Sequence, residues 1–419
     1  MLTVINQHLD RHDKLLRHWL LVFMSAIIAG GLNYGFQLYM MRALPADNYG
    51  ALASLFSLVY LVLFGLQSIS SVTSKLVSEY KSRGELEKAG AMINFLFERL
   101  IVVGLVVCFL VIVFRNIISD FLHLPDSRIV FLLALVLMVA FVSPLITGAL
   151  NGMQQFFWSG ASSVTGAFFK ISFGAFLVYL GFGIYGALLA LAIGMVVPVV
   201  MFLLILRSKV PSSIEKFDYV QFMGFAAPAM AMVTTLALIS NIDIILVRHK
   251  FSGADSGMYA AMSTLAKFIW FLCVPLTIVM LPKVNEIVGR AILRKTLCII
   301  ALIGCSIVTV FFVFGSFFTH LIYGANSLLL VAFGISMTLF SLVDALVVFN
   351  LALRRLRMAY IVAAALIIEF ILIVFFSTEI AHVIFILLFT NLMLLVSMLY
   401  YTRGHLVSSD TRSEVVANA

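Results

Sequence analysis

Apolar runs of about 20 residues recur along this chain with short polar segments between them, and that recurrence leaves few folds open. A helix of that length crosses the hydrocarbon core of a bilayer. In lipid every backbone N–H and C=O must be satisfied within the protein, so spanning elements are helices or closed barrels. No run alternates polar and apolar as a barrel strand does, which leaves helices. Twelve spans are expected, at 19–41, 51–73, 96–114, 130–150, 157–180, 184–206, 222–247, 258–281, 297–318, 328–350, 359–377 and 380–401. Composition agrees: 63% of residues are hydrophobic and 11% charged, against about 25% charged in soluble domains. The expected fold class is an all-α polytopic membrane protein of two pseudo-symmetric six-helix lobes.

The net charge of +8 would suit nucleic acid if it were pooled on one face, but it is not. Twenty of the 27 Lys and Arg fall in 1–18, 74–99, 207–220, 283–296, 351–358 and 402–419; five, including Arg42 and Arg248, fall in the alternate loops. The basic side of a membrane protein is the cytoplasmic side. This places both termini in the cytoplasm of a multi-pass protein of the cell inner membrane and speaks against a nucleic-acid partner. Cys108, Cys273, Cys298 and Cys305 lie inside apolar runs with no CxxC or Cys/His grouping, so they read as core hydrophobes. The first run, about 23 residues long with Asn33 and Gln37 inside it, reads as a retained helix and not as the 7–15-residue core of a signal peptide. Walker-type, His-Glu-x-x-His and Gly-x-Ser-x-Gly signatures are absent. No cofactor, no metal and no enzymatic activity are expected.

The chain also repeats itself. Arg42-Ala-Leu-Pro-Ala-Asp-Asn-Tyr-Gly50 follows the first span, and His249-Lys-Phe-Ser-Gly-Ala-Asp-Ser-Gly257 follows the seventh. Each half has a long first helix, a short acidic turn ending in Gly, and a second helix that opens with small residues. Six spans per half insert both halves in the same orientation, as parallel repeats with a cleft between them. The expected division is an N-terminal lobe over 1–206, a cytoplasmic linker over 207–220, a C-terminal lobe over 221–402 and a cytoplasmic tail over 403–419.

Ionisable groups inside spans cost several kcal/mol and need a partner or a cavity. Lys267 shares one helix face with Tyr259, Ser263 and Trp270 at i, i+4, i+8 and i+11 spacing. It suits either an anionic group crossing the bilayer or a structural pair with Glu369 or Asp344. Lys170 lies in the row Ser162, Gly166, Lys170, Gly174, which marks close helix packing; it reaches an internal cavity or snorkels to the headgroups. Asp243, beside Asn241, either binds a coupling cation or pairs with Arg42 or Arg248. Asp344 and Glu369 are candidates for proton sites and equally for neutralising a buried lysine. Asn33, Gln37, Ser54, Ser57, Gln67 and Ser68 concentrate polar groups in the first helix pair, as a hydrophilic cleft would.

Several of these stretches carry a family resemblance. Arg42–Gly50 resembles the turn after the first helix of the polysaccharide-export flippases, in the multidrug/oligosaccharidyl-lipid/polysaccharide exporter superfamily. Gly148-Ala-Leu-Asn-Gly-Met-Gln-Gln-Phe156 is similar to that family's Gly-rich turn between helices four and five. Asn241-Ile-Asp243, Gly257-Met-Tyr-Ala and Pro282 resemble its motifs around helices seven and eight. The resemblance spans the whole chain and implies a V-shaped two-lobe fold. It also implies flipping of a polyprenyl-diphosphate-linked oligosaccharide by alternating access, with H+ or Na+ as coupling ion and with membrane lipids and polysaccharide-assembly proteins as partners. Helices 1, 2, 7 and 8 would then hold the diphosphate-sugar in a cationic cleft; Lys267 fits, but the first two helices carry no basic residue between Arg42 and Lys75. The rival readings are a cation-coupled drug or metabolite antiporter, a membrane glycosyltransferase or polymerase, and a non-transporting envelope scaffold.

Overall fold

The computed structural model describes residues 24–205, 219–280 and 289–417, apart from 325, 354 and 356. Most of the expected linker, the basic segment 1–18 and Pro282 lie outside the described residues. Among these residues the regular structure is all helix: α1 (24–43), α2 (Ala46–Ser82), α3 (Leu86–Val113), α4 (Arg115–Phe121), α5 (Ile129–Gly152), α6 (Phe156–Tyr179) and α7 (Gly183–Ile205) come first. The chain continues as α8 (Tyr219–Ile239), α9 (Ile242–Lys250), α10 (Gly253–Met280), α11 (Gly289–Val313), α12 (Gly315–Leu321), α13 (Ser327–Ala352), α14 (Met358–Phe376) and α15 (Ile380–Ala417). Ten of these are long and apolar enough to cross a membrane; the protein is a multi-pass membrane protein. The two further expected spans correspond to α1, whose expected start falls outside the described residues, and to the broken pair α8 and α9.

Four expected spans need correction. The span 222–247 is not continuous: Asn241 adopts φ −138°, ψ −15°, and its side-chain N–H donates to Ser240 Oγ at 2.8 Å. Two adjacent polar side chains that bond locally offer the backbone an alternative to the helix. The span 297–318 stops at Val313, and α12 restarts after Phe314, just as α4 restarts after Phe114. Finally, α2 begins at Ala46 and α10 at Gly253, so each acidic turn is the first turn of a helix. Asp47 and Asp255 lie where a carboxylate complements the helix N-terminus, and Ser252 Oγ accepts from the Asp255 backbone N–H at 3.2 Å. α2, at 37 residues, is about 55 Å long and overruns a ~30 Å hydrocarbon core, so the polar stretch toward Ser82 continues as helix.

The chain divides between Ala237 and Leu238 into two compact units. In unit 1, α2 and α3 pack on α5, α5 packs on α7, and α6 lies along α7. In unit 2, α10 and α11 pack on α13, α13 packs on α15, and α14 lies along α15. The same wiring twice is the repeat that the acidic turns announced. Even the left-handed residues correspond: His123 follows α4 at φ 46°, and Tyr323 follows α12 at φ 55°.

Small residues set the closeness of these packings. A Cβ on Gly148 would lie 2.5 Å from the Ser70 carbonyl oxygen, so α5 meets α2 backbone to backbone. The Gly-rich turn between α5 and α6 puts Gln154 at φ 59°, and Lys81 Nζ fastens it by donating to the Met153 carbonyl at 2.7 Å. Hydroxyls inside the spans bond back to their own helices: Ser54 to the Ala51 carbonyl, Ser57 to that of Ala53, and Ser341 to that of Met337. Buried Ser54 and Ser57 are thereby satisfied within their own helix.

Candidate functional site

Where α8 breaks, unit 2 gathers its ionisable groups. The break presents Asn241 and Asp243 at the start of α9, α10 contributes Tyr259, Ser263 and Lys267 from one face, and α14 contributes Glu369. The Tyr259 hydroxyl donates to Asp243 Oδ2 at 2.5 Å, and Lys267 Nζ donates to Asn241 Oδ1 at 3.4 Å. Both carboxylates act on the Lys267 ammonium through their fields, yet neither forms a salt bridge with it among the described residues. Thr390 of α15 lies beside the Glu369 carboxyl and donates its hydroxyl to the Leu387 carbonyl at 3.2 Å. Asp243 and Glu369 are each 1% exposed, and Asp243 Oδ1, Glu369 Oε1 and Ser263 Oγ are buried with no hydrogen-bond partner among the described residues.

Unit 1 places one cation in a different setting. Lys170 of α6 is buried, with its Nζ over the Phe36 ring of α1 at 4.8 Å from the centroid. Next to Phe36, Gln37 donates to the Tyr60 hydroxyl of α2 at 3.2 Å. The row containing Lys170 is a packing seam, as its spacing suggested: a Cβ on Gly174 would crowd Phe36, and one on Gly194 of α7 would lie 2.8 Å from Lys170 Cβ. A cation over an aromatic face gains electrostatic stabilisation, increasingly so where water is excluded.

The remaining expected residues go elsewhere. Arg248 is buried and donates to Ser256 Oγ at 3.0 Å; Asp243 meets Tyr259 and not Arg248. Arg42 is exposed and Asn33 half-buried, both on α1 in unit 1. Trp270 packs against Phe340 at 5.9 Å, and Asp344, on the same helix as Phe340, forms no salt bridge with Lys267 among the described residues. Phe36, Tyr60 and Thr390 carry no sequence signal of their own; an aromatic next to Gln37 was the one available hint. Among the described residues no group of three His, Cys, Asp or Glu is placed to hold a metal ion.

The profile of a family described as "Polysaccharide biosynthesis protein" matches residues 39–332, most of the chain. The chain belongs to that family. No curated protein sequence matches this family member. Its fold is that of exporter-superfamily transporters. It is similar to an inward-facing multidrug-resistance MATE transporter of the MOP superfamily, with a TM-score of 0.72, 11% identity, and 92% of this chain and 99% of that one covered. It is also similar to the lipid II flippase MurJ in an inward closed conformation: TM-score 0.69, 15% identity, 93% and 87% covered. A Vibrio cholerae MATE transporter gives 0.69, 15%, 94% and 98%. At these identities the likeness speaks for the fold.

Proposed function

We propose that this polysaccharide biosynthesis protein moves a polyprenyl-diphosphate-linked oligosaccharide from the inner to the outer leaflet of the cell inner membrane by alternating access. The observation that carries the reading is the pairing of a polysaccharide-biosynthesis family with a transporter fold. A diphosphate-sugar cannot cross hydrocarbon unaided, whereas a polyprenyl tail never needs to leave it. An all-helical carrier whose states differ in affinity for the headgroup meets that need without catalysis. The excess of Lys and Arg in alternate loops supports cytoplasmic termini.

The cation we assign to the diphosphate is Lys170. It is buried with no carboxylate partner among the described residues, so its N–H donors are not committed to an acid and are available to an anion. Lys267 faces two carboxylates within its own unit. Gln37, Tyr60 and Asn33, in the same unit as Lys170, supply polar groups suited to sugar hydroxyls. The test is translocation of a labelled polyprenyl-diphosphate oligosaccharide in proteoliposomes, with and without an ion gradient. Protein-dependent appearance of sugar at the opposite leaflet is the expected result. No movement of several chemically different glycans by demonstrably folded protein would refute it. A cation-coupled antiporter is the second reading, favoured by the buried Asp243 and Glu369, and it requires transport to follow the gradient.

A further inference from the structure

The unit 2 cluster has the ingredients of an alkali-cation site. Two carboxylates, an amide oxygen and a hydroxyl converge beside a broken helix, all hard oxygen donors of the kind such ions take. Asp243 Oδ1, Glu369 Oε1 and Ser263 Oγ are buried without hydrogen-bond partners among the described residues, and Ser263 is 0% exposed. Yet an ammonium already stands among them: Lys267 Nζ is held by Asn241 Oδ1 and lies in the field of both acids. A metal ion added to this cluster would meet a like charge fixed on α10. We propose that Lys267 is a tethered monovalent cation that keeps the unit 2 site closed to metal ions, and that removing its charge opens a site for a free alkali cation between Asp243 and Glu369.

The arrangement explains why Lys267 forms no close salt bridge among the described residues. A cation shared between two acids and an amide sits between its ligands and does not dock on one of them. It also explains the break in α8, because a continuous helix through Ser240 and Asn241 would not present the Asn241 side chain at the start of α9.

The test is the thermal stability of the purified full-length protein in detergent, with NaCl, LiCl or KCl replacing choline chloride at constant ionic strength. Wild type is expected to melt alike in all four salts. Lys267→Gln is expected to gain a saturable, ion-specific rise of about 5 °C, which Asp243→Asn in the same background abolishes. In Lys267→Ala, methylammonium or ethylammonium is expected to restore part of the lost stability. Lys267→Gln/Glu369→Gln removes one charge of each sign; it is expected to fold without ion preference. A saturable sodium-specific shift in wild type that is lost in Asp243→Asn would overturn the proposal, as would a folded Lys267→Gln with no ion preference. Should Lys267→Gln not fold, the wild-type salt series decides alone. The readout is stability, so the outcome is independent of whether the translocated molecule is the proposed glycan.

Discussion

Units 1 and 2 share their helix order and packing and differ in what they bury at corresponding places. Counted from the helix starts, Tyr60 in α2 occupies the position that Lys267 holds in α10, and Lys170 in α6 falls within a turn of the place of Glu369 in α14. Unit 1 therefore holds one cation against an aromatic ring, with a neutral Gln37–Tyr60 bond beside it. Unit 2 holds one cation against two carboxylates. Packing constrains the small and apolar residues that join the helices, and both units satisfy it alike. Charge is constrained only by local neutrality and by what must be bound, and there the two have separated.

If that contrast is right, removing each lysine acts in opposite directions. Lys267→Met leaves two buried carboxylates without a counter-charge; it should destabilise unit 2 by about 3–5 kcal/mol, read as a lower melting midpoint in choline salt. Lys170→Met removes a buried ammonium that has an aromatic face but no acid. It should leave stability unchanged or raise it by about 1 kcal/mol, while lowering glycan translocation at least ~10-fold, the loss of one charge-assisted contact. Equal destabilisation by the two variants would dissolve the comparison. Full translocation by Lys170→Met at matched insertion would remove Lys170 from the substrate path.

Gly194 sharpens the picture of the unit 1 seam. An alanine Cβ there would lie 2.8 Å from Lys170 Cβ and 2.9 Å from the Gly166 carbonyl oxygen. Overpacking of this kind costs about 1–3 kcal/mol. Gly194→Ala should therefore lower thermal stability, whereas Gly31→Ala, which meets nothing within 4 Å, should not. Similar melting of the two would mean that α6 and α7 separate freely and that the seam does not position Lys170.

The scaffold was legible in the sequence because lipid imposes one rule on every span, and run length reveals it. The repeat was legible because Asp47 and Asp255 both start a helix, a role fixed by local backbone chemistry. The break at Ser240–Asn241 was hidden: both halves are apolar, and two polar residues in a span more often bond to a neighbouring helix than interrupt their own. The company of the charged residues was hidden for another reason. Helical spacing places Tyr259, Ser263 and Lys267 on one face, but it does not say which face of α14 meets them, so Glu369 and Asp344 were equivalent partners on paper. The fold sets Glu369, and not Asp344, in the field of the lysine. Phe36 under Lys170 is likewise a contact between helices remote in sequence.

A last difference lies at the loops. Tyr185, the third residue of α7, donates to Asp126 Oδ2 at 2.6 Å, and the Arg128 backbone N–H donates to Asp126 Oδ1 at 2.9 Å. His382, the third residue of α15, contacts Thr378 instead. The Tyr185 hydroxyl, and after it the Arg128 N–H, hold the Asp126 carboxyl below the usual carboxylate range. A depressed carboxylate stabilises the fold fully above its unfolded value, about 3.9, and loses that contribution as pH falls through its folded value. Hydrogen exchange at the start of α7 should thus quicken, relative to the start of α15, as pH drops below about 4. In Asp126→Asn that exchange should already be faster at neutral pH and lack the acid-dependent step. An unchanged profile in the variant would show that the loop is held by packing around Tyr185 and not by the carboxylate.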